Sequence, residues 1–218
     1  MQLTGPSRRQ VLTVGAAVTA AAVLTDLGAP AQADAATNTW AKSASRNGWP
    51  VLQAADSFVI EGSGHSVRLA DGDAATVLLH IARRFHYEID ALRSGDVHGW
   101  TDDRSVSEAY ESNYLSGSAL AIRPAGYPVG AHGNFYPNEM IVIRDILAEL
   151  DGVVAWGGDF TTPKESHFEI AVRPAHPRLK GVARKIRGWD EDPGMAGAGA
   201  TDAFEPARMK RARAFQSR

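Results

Sequence analysis

Residues 167–172 read HFEIAV, and their alternation decides the fold class. Successive side chains of a strand point to opposite faces, so Phe168, Ile170 and Val172 share a side that faces a core. His167 and Glu169 then share the other side, which sets an imidazole and a carboxylate next to each other. VVAWGGD, residues 153–159, precedes it as another short apolar strand, with Gly157 and Gly158 marking a turn or a close backbone approach.

Working outward, Pro137 opens a helix over NEMIVIRDILAELDG, which Gly152 can end. Pro124, Gly126, Pro128, Gly130 and Gly133 make the segment before it a loop. An earlier helix follows Asp73, which suits an N-cap. Its apolar residues Val77, Leu78, Ile81, Phe85, Ile89 and Leu92 recur at three and four, the spacing of one buried stripe. His80, Arg83, Arg84 and Glu88 fall off that stripe and are expected in solvent. His80 and His86 are six apart, on different helix faces, and are not read as ligands. FVIEG and SVRLA read as short strands turned by Gly62 and Gly64. The stretch from Gly95 to Glu111 is polar and turn-rich. LKGVARKIRGW reads as a basic helix, and PARMKRARAFQSR as a frayed surface helix in a tail from residue 190 to 218 that is Gly/Ala-rich and then Arg-rich. Contact of that tail with anionic wall polymers is the functional alternative. Helices and strands in separate blocks, without an internal repeat, specify an α+β domain.

The 218-residue chain is 44% apolar and 22% charged, which suits one globular domain with a core. A net charge of −2 gives no support for a general nucleic-acid binder. Cysteine is absent, so disulfides and thiolate ligands are excluded and any metal needs His and carboxylates.

SRRQVLT, residues 7–13, precedes the apolar run VGAAVTAAAVL, then Gly28, Pro30 and the small-residue site AQA at 31–33. A charged start, short apolar middle and small-x-small end are the parts of a signal peptide. The run is shorter than the roughly 20 residues a membrane span needs. The adjacent Arg8 and Arg9 look like a twin-arginine export signal, although Val11 and Thr13 stand where Phe and Lys are usual; an ordinary secretory signal is the other reading. Residues 1–33 are thus expected to direct export, residues 34–48 to form a flexible leader, and residues 49–189 to form the domain.

Three further pieces carry a resemblance. SNYLSGSALAI (residues 112–122), IVIRDILAEL and VVAWGGDF with KESHFEIAV resemble, in order and spacing, the M15 zinc peptidases, which include D-Ala-D-Ala carboxypeptidases and L-Ala-D-Glu endopeptidases of bacterial cell-wall peptides. The likeness spans about residues 105–172, and more loosely the helix from residue 73. It implies the Hedgehog/DD-peptidase fold, a small antiparallel sheet flanked by helices, and a secreted or wall-associated protein that meets peptidoglycan stem peptides or a wall-processing partner.

The resemblance also marks where the chemistry departs. In the family's S-x-H-x-x-G-x-A-x-D motif, Ser112, Gly117 and Ala119 match, but Tyr114 replaces the His ligand and Ala121 the Asp ligand. His167 matches the remaining ligand. Lys164 replaces the catalytic acid, with Glu165 one place off register. A catalytic zinc takes three protein ligands and a water, Ala121 donates nothing, and a phenol ionises only near pH 10. An ammonium has no lone pair to accept a proton. Zinc catalysis is therefore expected to be lost, with no cofactor. A rebuilt site, in which His132 and Glu169 join His167 around zinc and Glu165 becomes the base after a loop shift, is the alternative. The resemblance places Ser112, Asn113, Tyr114, Trp156, Asp159, His167 and Glu169, with Glu165, around the remaining cleft. Tyr114 filling the metal's place and bonding His167 is the arrangement favoured there.

Overall fold

The computed structural model describes residues 38–192 and 202–217. The expected signal segment lies outside them, as does most of the Gly/Ala-rich stretch. Among the described residues no helix is long and apolar enough to cross a membrane.

Chain order begins with β1 (Asn38–Thr39), then the ribbon of β2 (Asp56–Ile60) and β3 (His65–Leu69), then α1 (Asp73–Glu88). The two-residue strands β4 (Val97–His98) and β5 (Ser105–Val106) come next, followed by a 3₁₀ turn at Ala109–Tyr114 and β6 (Ala119–Ile122). α2 (Pro137–Glu149), β7 (Val154–Trp156), a 3₁₀ turn at Gly157–Asp159, β8 (His167–Ile170), α3 (Pro177–Glu191) and α4 (Pro206–Gln216) complete the described chain. The central sheet is antiparallel in the order β4-β6-β8-β7, while β1 pairs with β5 and β2 with β3. The architecture is α+β, as the separated blocks predict.

Two faces of the central sheet have different fates. Leu120 pairs with Phe168 across β6 and β8, and Trp156 with Phe168 across β7 and β8. Leu120, Ile122, Phe168 and Ile170 join one core with Val77, Leu78, Ile81 and Phe85 of α1 and Ile143 and Ile146 of α2. Each such side chain contributes about 1.5–3 kcal/mol on burial, so this face carries most of the stability. On the opposite face Ala121 sits across from His167, and Ala119 across from Glu169. The 3₁₀ turn covers that second face, and Tyr114 packs on Ala119 and Ala121.

Several expectations need correction. His80 and Arg84 are buried, both 4% exposed, because ion partners reach them from α2. Gly72, not Asp73, is the N-cap of α1; Asp73 is the first helical residue and pairs with Arg187. α1 also stops at Glu88, before Leu92. Residues 38–48 are stitched to the domain rather than standing off as a leader: Asn47 N donates to Asn113 Oδ1 (3.0 Å), and Asn47 Nδ2 donates to Ser118 Oγ (2.8 Å) and Ile170 O (2.9 Å). α4 is docked on α2 through Arg208, with Ala212 buried, so the last helix belongs to the folded body.

Candidate functional site

The site grows out of the second face of β6 and β8. Period-two geometry aims His167 and Glu169 at it, and the turn at Ala109–Tyr114 brings Asn113 and Tyr114 over them. Gly117 fixes that turn against β3. Its φ is +63°, and a Cβ there would lie 2.4 Å from Ala70 N, so only glycine fits. Its carbonyl accepts from Ala70 N at 2.9 Å. Gly157 does the same work for the loop before β8: a Cβ would meet Lys164 O at 2.3 Å.

At the centre, Tyr114 Oη lies 2.7 Å from His167 Nδ1, and His167 Nε2 lies 2.7 Å from Glu169 Oε2. Asn113 Nδ2 donates to the same carboxylate oxygen at 2.6 Å. A carboxylate only accepts, so the Nε2–H tautomer of His167 donates to Glu169 and Nδ1 accepts from the phenol. Burial pushes the His167 pKa down despite Glu169, so the ring is neutral. Burial pushes the Tyr114 phenol well up, with Glu111 adding to the effect, so it keeps its proton. His167 is completely buried under Tyr114, Tyr110 and Phe160, whose centroids lie 5.2, 5.0 and 5.8 Å away.

This donor set does not fit zinc. Both ring nitrogens of His167 are engaged, Ala121 offers a methyl group, and Tyr114 is a neutral phenol. Glu165 points elsewhere: its carboxylate accepts from Gly133 N (2.7 Å), Asn134 N (3.0 Å) and Asn134 Nδ2 (2.8 Å). His132 shares a separate pocket with Glu165 and Trp156, so the His132–Glu169–His167 set does not assemble. Among the described residues no three His, Asp or Glu side chains are grouped to hold a metal.

Lys164 is likewise committed. Its Nζ binds Glu111 Oε1 at 2.7 Å and stands 5.0 Å over the Tyr114 ring. Burial raises the Glu111 pKa, but the Lys164 ammonium and the amides of Ser107 and Glu108 outweigh it and hold the carboxyl below its usual range. Position 164 therefore presents a fixed cation paired with a fixed anion.

A cavity of about 560 Å³ opens beside this pair, with Tyr114, Ala121, Lys164 and Glu111 on one side. Its far side is built from β3 and the 97–105 segment, notably Arg68, Trp100 and Asp103. Arg68 lies 4.4 Å over the Trp100 ring, and Trp100 N donates to Arg68 O at 2.7 Å. Among the described residues no carboxylate pairs with this guanidinium. The polar stretch from Gly95 to Glu111 contained Trp100, but only its tertiary pairing with β3 makes a cleft wall of it.

The expected cleft residues divide accordingly. Only Tyr114 lines the open cavity. Ser112, Asn113 and His167 are wholly buried behind it, and Glu169 is 9% exposed. Ser112 Oγ donates to Ala109 O and accepts from Arg46 N, a structural role. Trp156 is a core residue at 2% exposure, donating to Glu165 O at 2.7 Å. Asp159 makes a two-pronged ion pair with Arg144, whose guanidinium also lies 5.0 Å over Trp156. Trp156 and Asp159 thus leave the cleft.

Comparison with models of known protein families, with curated proteins and with solved structures finds no match to the chain.

Proposed function

We propose that the protein is an exported, M15-like domain that binds carboxylate-bearing cell-wall peptides, of the peptidoglycan stem type, without zinc catalysis. The observation that carries this reading is the position of the open cavity: it borders Tyr114, Ala121 and Lys164, the positions at which the resemblance expects two metal ligands and the catalytic acid. Those three residues supply a phenol, a methyl and an ion-paired ammonium, which bound a ligand without activating water. The Arg68 guanidinium, stacked on Trp100, supplies a planar double donor of the kind that reads carboxylates. Asp103 in the same wall offers an acceptor for a peptide N–H or ammonium.

The test is calorimetric titration of purified muropeptides into the protein, with product analysis of the same mixtures. Binding without turnover, weakened at least about 10-fold by Arg68→Ala, is the expected result. Cleavage of the peptides, or binding indifferent to Arg68, overturns the reading.

A further inference from the structure

The seating of α4 on α2 stands apart from the cleft and does not depend on what the cleft binds. Of the 11 residues of α4 only Ala212 is buried, and Phe215, partly buried, packs against the main core. An apolar face is what normally docks a helix. Here that face is small, limited to Ala212 and Phe215, and charge adds to it. Arg208 Nε lies 3.0 and 3.1 Å from the two oxygens of Asp145, and its terminal nitrogen lies 3.1 Å from Glu149 Oε1. Those carboxylate side chains are 0% and 3% exposed.

The same two carboxylates are shared with Arg84 of α1, at 2.9 Å from Asp145 and 3.0 Å from Glu149. Arg84 is also gripped by Glu88. Two buried acids are thus balanced by two guanidiniums, one from the core and one from α4. Arg211 adds a looser contact to Asp145 at 3.8 Å, with half of its side chain exposed. Lifting α4 leaves Asp145 and Glu149 with Arg84 alone, and an unbalanced buried charge is costly.

One neighbour can make up the deficit. His80 Nε2 lies 2.9 Å from Glu149 Oε2, and a pocket of about 320 Å³ reaches His80 from outside. The charged and titratable groups around this imidazole and its pocket are Arg83 and Arg84 on its own helix, Glu61 after β2, Asp71 after β3, Glu149 and Asp145 from α2, Arg187, Asp190 and, beside Trp189, Lys185 from α3, and Arg208 of α4 through Glu149. We infer that α4 is a latch seated by charge: it closes by setting Arg208 on Asp145 and Glu149, and it opens when salt screens that contact or a proton on His80 replaces the guanidinium.

The sign follows from the closed form. Burial, with the nearby Arg83 and Arg84, holds His80 below its usual pKa against the pull of Glu149. Opening removes one cation and admits water, and both raise that pKa. The open form therefore binds more protons, and acid favours it.

Hydrogen exchange on the full chain tests the latch. Amides of residues 206–216 are expected to exchange at least about 10-fold faster in Arg208→Gln than in the unaltered protein, while β6 and β8 keep their protection. In the unaltered protein the same amides lose protection between low and molar NaCl. Corrected for intrinsic rates, they also lose it between about pH 7.5 and 5.5, and His80→Gln removes that pH dependence. If Arg208→Gln unfolds the whole chain, β8 protection reveals it, and the salt series on the unaltered protein decides. An α4 as protected as α1, and indifferent to salt, overturns the inference.

Discussion

The phenol of Tyr114 and the imidazole of His167 are joined at 2.7 Å, and the bond uses the ring nitrogen that faces the turn rather than the one that faces Glu169. A residue that cannot bind zinc when neutral thus stands on a lone pair that could. The bond also completes an unbroken series, in which Tyr114 donates to His167, His167 donates to Glu169, and Asn113 donates to Glu169 from the other side. Among the described residues no buried side-chain nitrogen or oxygen lacks a partner, so this series is a satisfied polar core.

Tyr114→Phe tests the value of that bond. The substitution removes one hydroxyl and leaves Nδ1 of a completely buried imidazole without a donor. A loss of about 1–3 kcal/mol is expected in urea unfolding, larger than for a surface hydroxyl. A loss below about 0.5 kcal/mol would mean that water or a ring rotation replaces the phenol.

Stability should fall on mild acidification. His167 and His80 both have pKa values held below the usual 6.5, chiefly by burial. Above about pH 6.5 both are neutral in the folded and unfolded chain, so their contribution is fully present. As pH drops below that value the unfolded chain takes up protons that the fold resists, and stability declines. Thermal melts between about pH 7.5 and 5 should show a falling Tm, with a shallower fall in His167→Gln. Identical slopes for the two proteins would show that His167 does not titrate differently on folding.

Gly117→Ala should cost at least about 2 kcal/mol, since it adds left-handed strain to a backbone clash with Ala70. Gly130 has φ +87° but open space around it, so Gly130→Ala should cost about 1 kcal/mol from strain alone. Equal losses in chemical denaturation would remove the argument that Gly117 pins β3 to the turn.

Much of this architecture was legible because it rests on local periodicity. HFEIAV alternates, and β8 buries Phe168 and Ile170 on the core side. The stripe of α1 was readable through Phe85, and Pro137 and Gly152 bracket α2. What escaped has a common cause, since it depends on partners far along the chain. His80 and Arg84 look like surface residues by helical phase and are buried because Asp145 and Glu149, some 60 residues away, neutralise or bond them. β4 and β5 are two-residue strands with no period to detect. The placement of Tyr114 against His167 is what the resemblance implies, whereas the cleft wall of Arg68 and Trp100 requires β3 to meet the 97–101 segment. The resemblance implies a cleft position for Trp156 and Asp159, and their side chains turn instead to the core and to Arg144.

We propose that Tyr114 and Ala121 close His167 to metal. Zinc content after purification without added metal, compared between the unaltered protein and Tyr114→His/Ala121→Asp, tests it most directly. No retained zinc is expected in the unaltered protein and an equimolar amount in the double variant, since a second imidazole and a carboxylate would then face His167. Equimolar zinc in the unaltered protein, removable by chelator and lost in His167→Ala, would contradict it.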